Sequence, residues 1–338
     1  MRNRIPYPIS RIVQRKMLPL LIFLLCGGLS LFLAITKQQE ETVMVMGGVL
    51  ESQCIAVDEF LEGSTMDLEK YFRPSKLPIL NNNVLSQSFL ENTYDKKPEE
   101  IFLPPSLSDT AENTILNYFS ILRDAANPVP GKSAGCGTIG EAQMPYPISY
   151  GLLSNAYQKN LPYDAYLKTY ENILHISLLK LHQIPLKSSR ENALQYFVEL
   201  ETIEGTEKET GVFAYYYGFI DLEKEADQYK ITDLHYFDEN FLCAPYHGWQ
   251  WEAEANVNIR YGDWCNLIKG EIQKTQTDDI IRVFFDGTDG FNYCIVFFQL
   301  TNGTDLEVAQ YRKTLGGTWE PAFMNVEDCL ENKQKLSR

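Results

Sequence analysis

No acidic residue occurs before Glu40, no two cysteines have C-x-x-C spacing, and no D-x-D triplet appears anywhere in the 338 residues. The first absence leaves Arg2, Arg4, Arg11, Arg15 and Lys16 unopposed ahead of an apolar run from Met17 to Ile35. The second removes the usual motifs for structural zinc and for thioredoxin-like redox chemistry. The third, with no alternating βαβ region, argues against a type II glycosyltransferase despite the similar layout of basic tail, apolar run and stalk. Basic residues are also in the minority. Beyond residue 35 there are 25 Lys and Arg against 45 Asp and Glu, a net of −20, which repels nucleic acid and anionic lipid and suits solubility or basic partners.

What is present begins with that apolar run. Its 19 residues span roughly 28 Å as a helix, about one hydrocarbon core, and the basic flank holds the N-terminus in the cytoplasm. The run continues through Leu31, Phe32, Leu33 and Ala34 without an A-x-A site, so a retained anchor is expected rather than a cleaved signal. Cys26 follows Phe23, Leu24 and Leu25, whereas a lipoprotein cysteine follows a small residue. The expected localisation is therefore a single-pass cell-membrane protein: residues 1–16 a cytoplasmic tail, 17–35 the anchor, and everything after it extracytoplasmic.

The outer part is 44% hydrophobic and 12% aromatic over the chain as a whole, enough to bury real cores. Residues 36–107 are expected as a stalk with short elements, because Pro74, Pro78, Pro98, Pro104, Pro105 and the run Asn81 to Asn83 interrupt any regular pattern. From Asp109 and Glu112, spaced as a capping box, Ile115, Tyr118, Phe119 and Leu122 follow at helical period and predict a helix over 110–125. A second long helix is predicted after Pro162, with Tyr166, Tyr170, Ile173, Leu174, Ser177 and Leu181 on one face until Pro185. The period then falls to two. Leu194, Tyr196, Val198 and Leu200 alternate with Gln195, Phe197, Glu199 and Glu201, and the stretches 212–222 and 229–236 complete an antiparallel meander. Helices followed by a curled antiparallel sheet define an α+β unit.

This order of elements, with Asn117-Tyr118-Phe119, Leu152-Leu153-Ser154, Tyr163 to Tyr170, Tyr196-Phe197-Val198, Tyr216-Tyr217-Gly218 and Lys230-Ile231-Thr232-Asp233, resembles the nuclear-transport-factor-2-like (ketosteroid-isomerase-like) superfamily. The likeness is to versions carried outside membrane anchors in Gram-positive bacteria, and it covers residues 108–240. It implies a cone-like sheet wrapped round helices with a pocket at the wide end. It implies no activity, since such folds serve as isomerases, dehydratases, adaptors and spacers.

Residues 241–330 are expected as a smaller, mainly β domain. Ala253, Ala255, Val257, Ile259 and Tyr261 alternate with polar residues as a strand, a helical piece is placed at 264–272, and strands follow at 280–285, 291–300 and 306–311. Residues 331–338 are expected as a frayed tail. Cys54, Cys136, Cys243, Cys265, Cys294 and Cys329 lie beyond the anchor, an even count compatible with disulfides whose pairing spacing does not fix.

No constellation names a reaction. Gly131-Lys132-Ser133 ends like a phosphate loop, but Ala126 stands where the first glycine belongs. Cys136 between two glycines lacks a visible histidine partner. Cys243, His247 and Cys265 are ligand types without a metal-site spacing. Asp286 to Gly290 is a turn rather than a calcium loop. His175 and His182 would share a helix face without a third ligand. The candidate ligand-binding residues are Tyr216 and Tyr217 on the meander and Tyr246, His247 and Trp249 in the aromatic run between the two domains. The expected function is a non-catalytic, membrane-anchored protein whose outer domains bind an envelope protein or small ligand, with no cofactor, metal or nucleic acid. The alternative is a pocket enzyme of ketosteroid-isomerase-like type, drawing a carboxylate base from Asp221 or Asp233 and a donor from Tyr215, Tyr216 or Tyr217.

Overall fold

A computed structural model describes residues 73–94, 96–135, 140–186, 192–239, 248–314 and 316–336, together with the backbone of a hairpin formed by Thr42–Val45 (β1) and Gly48–Glu51 (β2). The apolar run 17–35, the residues 52–72 and Cys54, Cys136, Cys243, Tyr246 and His247 lie outside the described residues. Among those described, no helix is long and apolar enough to cross a membrane.

The chain is α+β, with a four-stranded and a five-stranded antiparallel sheet. A short helix, Gln87–Thr93 (α1), precedes the helix Ala111–Arg123 (α2). Thr110 rather than Asp109 caps α2: its hydroxyl accepts Asn113 N at 3.1 Å, while Asp109 holds the Asn113 side chain at 2.8 Å. Ile115, Tyr118, Phe119 and Leu122 are fully buried, each contributing about 1.5–3 kcal/mol through the hydrophobic effect. Three short helices follow, Tyr146–Tyr150 (α3), Asn155–Asn160 (α4) and Tyr163–Thr169 (α5).

The second long helix does not form. It stops at Thr169, Asn172 adopts a left-handed φ of 67°, and the chain continues as the strand Ile173–Ile184 (β3). Two register shifts, at Ile173/His175 and Leu178/Lys180, insert extra residues that break the alternation, so the apolar positions fall at a spacing that imitates a helix. β3 then pairs with Ala193–Glu204 (β4), which pairs with Val212–Glu225 (β5), which pairs with Gln228–Asp238 (β6). The meander of three predicted strands is thus completed by a fourth. Gly218 in β5 is required by close approach, since a methyl group there would run into the carbonyl of His235 and the Tyr236 ring.

Residues 73–107, expected within the stalk, lie against this unit. Asn81 is fully buried; its Nδ2 donates to the carbonyls of Phe119 and Ile176, both at 3.0 Å, and its Oδ1 accepts Leu178 N at 2.7 Å. A side chain satisfied on three sides pins the segment to the sheet edge more firmly than its proline content suggests.

The second sheet orders its strands β11-β10-β9-β8-β7, namely Trp319–Ala322, Asp305–Lys313, Asn292–Gln299, Ile280–Gly287 and Ile268–Thr277. The residues 253–261 are helical, not a strand: Ala253–Val257 (α6) runs into a π-helical turn, Asn258–Trp264. Ala253, Val257 and Tyr261 are all fully buried, so the i, i+4, i+8 stripe prevails over the alternation in the same residues. The predicted helix at 264–272 gives way to the start of β7. The last helix, Val326–Leu336 (α7), replaces the expected tail and is clipped to the π-helical turn by a Cys265–Cys329 disulfide. Cys294 is buried as a free thiol, which burial pushes up to about 11.

Candidate functional site

The two faces of the first sheet have different chemistry. On the helix face, α2, α3 and α5 deliver Tyr118, Tyr146 and Tyr166, and Tyr170 follows directly after α5, all four all but fully buried. The hydroxyls of Tyr118 and Tyr170 lie 2.5 Å apart, Tyr166 donates to Tyr118 at 3.1 Å, and Ser149 meets Tyr166 at 2.7 Å. The rings pack edge-on or tilted, with Tyr166 and Tyr170 centroids 5.3 Å apart. Burial pushes the hydroxyls of Tyr118, Tyr166 and Tyr170 well above the ordinary phenol value, so each remains a neutral hydrogen-bonding group. The space between these helices and the sheet is thus filled by side chains.

The opposite face carries buried charge. Glu199 is completely buried, Lys180 Nζ lies 2.7 Å from its Oε2, and Thr301 N donates to its Oε1 at 2.6 Å. Lys180 also donates to the carbonyl of Gln299 and stands 3.8 Å from Asp279, which His182 contacts at 3.1 Å. Burial works against ionising Asp279, yet the hydrogen bond from His182 and the charge of Lys180 outweigh it and hold the carboxyl below its ordinary value. Glu239, just past β6, moves the other way: burial first, then the neighbouring Glu199 carboxyl, push it well above the carboxylate range. Two carboxyls beside one ammonium cannot both ionise cheaply in a dry seam, and Glu239 keeps the proton.

These groups tie the two sheets together. Ile184 and Phe197 from the first sheet meet Phe298 and Leu300 from the second, with Phe197 and Phe298 centroids 4.9 Å apart. Beside the seam, along the free edge of β3, opens a groove of about 810 Å³. Leu77, Leu80 and Leu116 give it an apolar side, while Lys180, His182 and Asp279 give it a charged one. A second buried ion pair lies further along the same face, where Arg73 Nη1 contacts Glu201 at 3.2 Å and Tyr215 donates to Glu201 at 2.6 Å.

The predicted site residues are dispersed. Tyr216 and Tyr217 are neighbours on β5 and project to opposite faces: Tyr216 donates to Glu204 at 2.5 Å, while Tyr217 stacks on Phe237 with centroids 5.1 Å apart. Trp249 sits edge-on to Trp264 at 5.5 Å in the second unit. Asp221 accepts the Gln195 amide at 2.7 Å and Asp233 pairs with His235 at 2.9 Å, so neither carboxylate reaches the tyrosine core. His175 and His182 do not share a helix face; they stand opposite Ile203 and Phe197, roughly 20 Å apart along the strand. Cys265 is consumed by its disulfide, and among the described residues no cluster of metal-ligating side chains forms. Lys180, Glu199, Asp279 and Glu239 were not singled out from the sequence. The available signal was Phe197, a large aromatic on the side of β4 that the alternation assigns to water.

Compared with protein-family models, curated proteins and solved structures, the chain matches none. What the coordinates define is a class of architecture, an α+β chain of two antiparallel sheets joined across a charged seam.

Proposed function

We propose that the chain is a single-pass, membrane-anchored extracytoplasmic binding protein, and that it binds an envelope protein or small ligand in the groove between its two sheets rather than inside its first domain. The tyrosine-filled helix face carries this reading. A nuclear-transport-factor-2-like cone with a closed interior has no room for substrate, whereas the groove is open, part apolar and part charged, as binding sites are. The apolar run with its basic flank supports the anchor, and the Cys265–Cys329 disulfide is compatible with an oxidising compartment.

The pocket-enzyme alternative has less support, because among the described residues Asp221 bonds Gln195, Asp233 bonds His235 and Tyr216 is engaged with Glu204. The test is a combined turnover and thermal-stabilisation screen of the full-length chain over enones, esters and peptides. A ligand at a hundredfold excess over Kd stabilises by about 2.7 kcal/mol. The reading expects no turnover, and stabilisation that is lost in Thr301→Trp and kept in Tyr166→Phe. Turnover abolished by Tyr166→Phe overturns it. Protease added outside intact cells should digest the folded region, and protection there would refute the orientation.

A further inference from the structure

We infer that the groove is a strand-addition site, in which the free edge of β3 at Leu181 and Gln183 pairs with an extended partner segment whose side chains alternate aliphatic and basic. This rests on the reading that the groove is the binding site, and it names the occupant.

The backbone register carries the argument. In an antiparallel ladder each residue turns its N–H and C=O to one side, and the side alternates. Leu178 stands opposite Leu200 and faces outward: its carbonyl accepts Leu80 N at 2.9 Å and its N–H goes to Asn81 Oδ1 at 2.7 Å. Leu181 and Gln183 stand opposite Val198 and Tyr196, two and four residues further along β4, so their groups face outward as well. There the cover has ended. Among the described residues nothing bonds to the outward groups of Leu181 or Gln183, and burial falls from the buried run 176–179 to an exposed Gln183. An uncovered edge of this kind is a template for another strand, and folded proteins otherwise blunt or cover it.

The walls say which strand. From Leu181 to Ile184 the uncovered edge offers roughly 10 Å, room for about three or four residues of an extended segment whose remainder lies in the groove. An added strand would direct alternate side chains to the two faces of the sheet. On the helix face it meets Leu77, Leu80 and Leu116; on the other it meets the β7–β8 turn with Asp278 and Asp279. Aliphatic side chains fit the first and basic ones the second. Glu112 and Asp278 are exposed, and the outer part of the chain carries a net charge of −20, which steers a basic segment toward the edge.

The experiment uses the full-length chain in detergent micelles with a blocked hexapeptide alternating Lys and Val, followed by fluorescence anisotropy and residue-resolved amide exchange. The expected result is saturable binding that slows exchange at Leu181 and Gln183 at least tenfold. Exchanging Lys for Glu in the peptide, or Asp278→Lys in the protein, should weaken binding about tenfold. N-methylation of alternate peptide amides should weaken it by roughly tenfold or more, because each bond to the edge is then lost. Gln183→Pro asks the same of the protein, and the N-methylated peptide keeps the question answerable if that variant does not fold. Groove protection with an N-methylated peptide that binds equally well overturns strand addition and leaves the groove reading standing. Absence of peptide binding also overturns the inference, while protection confined to another surface overturns both.

Discussion

The helix face of the first sheet and its opposite face are built from the same four strands, yet one is packed with tyrosine rings and closed and the other carries buried ion pairs and is open along an edge. On the first, Tyr118 bonds Tyr170 at 2.5 Å and Tyr166 at 3.1 Å, while the Tyr146 hydroxyl is buried without a partner among the described residues. On the second, Glu199, Lys180, Asp279 and Glu239 are held between two sheets by bonds reaching across a hundred residues, such as Thr301 N to Glu199. A neutral network stabilises by packing and is indifferent to pH over most of the range. A charged seam adds little net stability, because desolvation offsets the ion pairs, but it is sensitive to pH and to the loss of either partner.

The comparison breaks most sharply at Tyr118. Tyr118→Ala removes a fully buried ring and should cost about 3–5 kcal/mol in urea unfolding, while Tyr118→Phe should cost only about 1 kcal/mol. A loss below 1 kcal/mol for the alanine variant would mean the core is not packed as described. Lys180→Met comes next. It strands the buried Glu199 carboxylate and should cost about 3 kcal/mol, most of it recovered when Glu199→Leu is added. Strict additivity of the two changes would show that the pair does not interact.

A smaller effect lies in pH dependence. Glu239 has a folded pKa raised above its unfolded value near 4.5, so its contribution is fully present below that pH and is lost as pH rises through the folded value. Asp279, lowered from 3.8, contributes above that value and loses its contribution as pH falls through its folded pKa. Glu239→Gln should therefore flatten the decline in stability on the alkaline side of pH 4.5, measured by thermal unfolding across pH 4 to 8. The raised tyrosines of the helix face act only where pH passes 10, so Tyr166→Phe should leave that profile unchanged in shape. Smallest is Phe102→Ser at a ring 90% exposed, expected within about 0.5 kcal/mol by the same assay.

How much of this the sequence discloses differs between the faces. Helix α2 was visible because Ile115, Tyr118, Phe119 and Leu122 keep one period without interruption, and β4 and β5 because their pairing runs without a register shift over twelve residues, while β6 carries a single bulge. β3 was hidden by its bulges, and α6 by small and polar residues that satisfy both periods until Val257 and Tyr261 are seen to be buried together. The seam was illegible for a different reason. Glu199 and Glu201 occupy positions that alternation assigns to solvent; Glu199 is covered by Thr301 a hundred residues later, and Glu201 by Arg73 from well before the sheet. Tyr216 and Tyr217 stand out in the sequence for their place on the meander, but sequence does not say that Tyr216 finds Glu204, that Tyr217 finds Phe237, or that Tyr118, Tyr166 and Tyr170 find one another.

The most direct test of the account is a xenon-pressurised crystal of the chain, since xenon enters dry apolar cavities in folded proteins, such as an engineered one of about 150 Å³. The account predicts no xenon among Tyr118, Tyr146, Tyr166 and Tyr170. A xenon atom ordered among those rings would show an open interior behind α2, contradict the closed core, and return the binding site to the inside of the first domain.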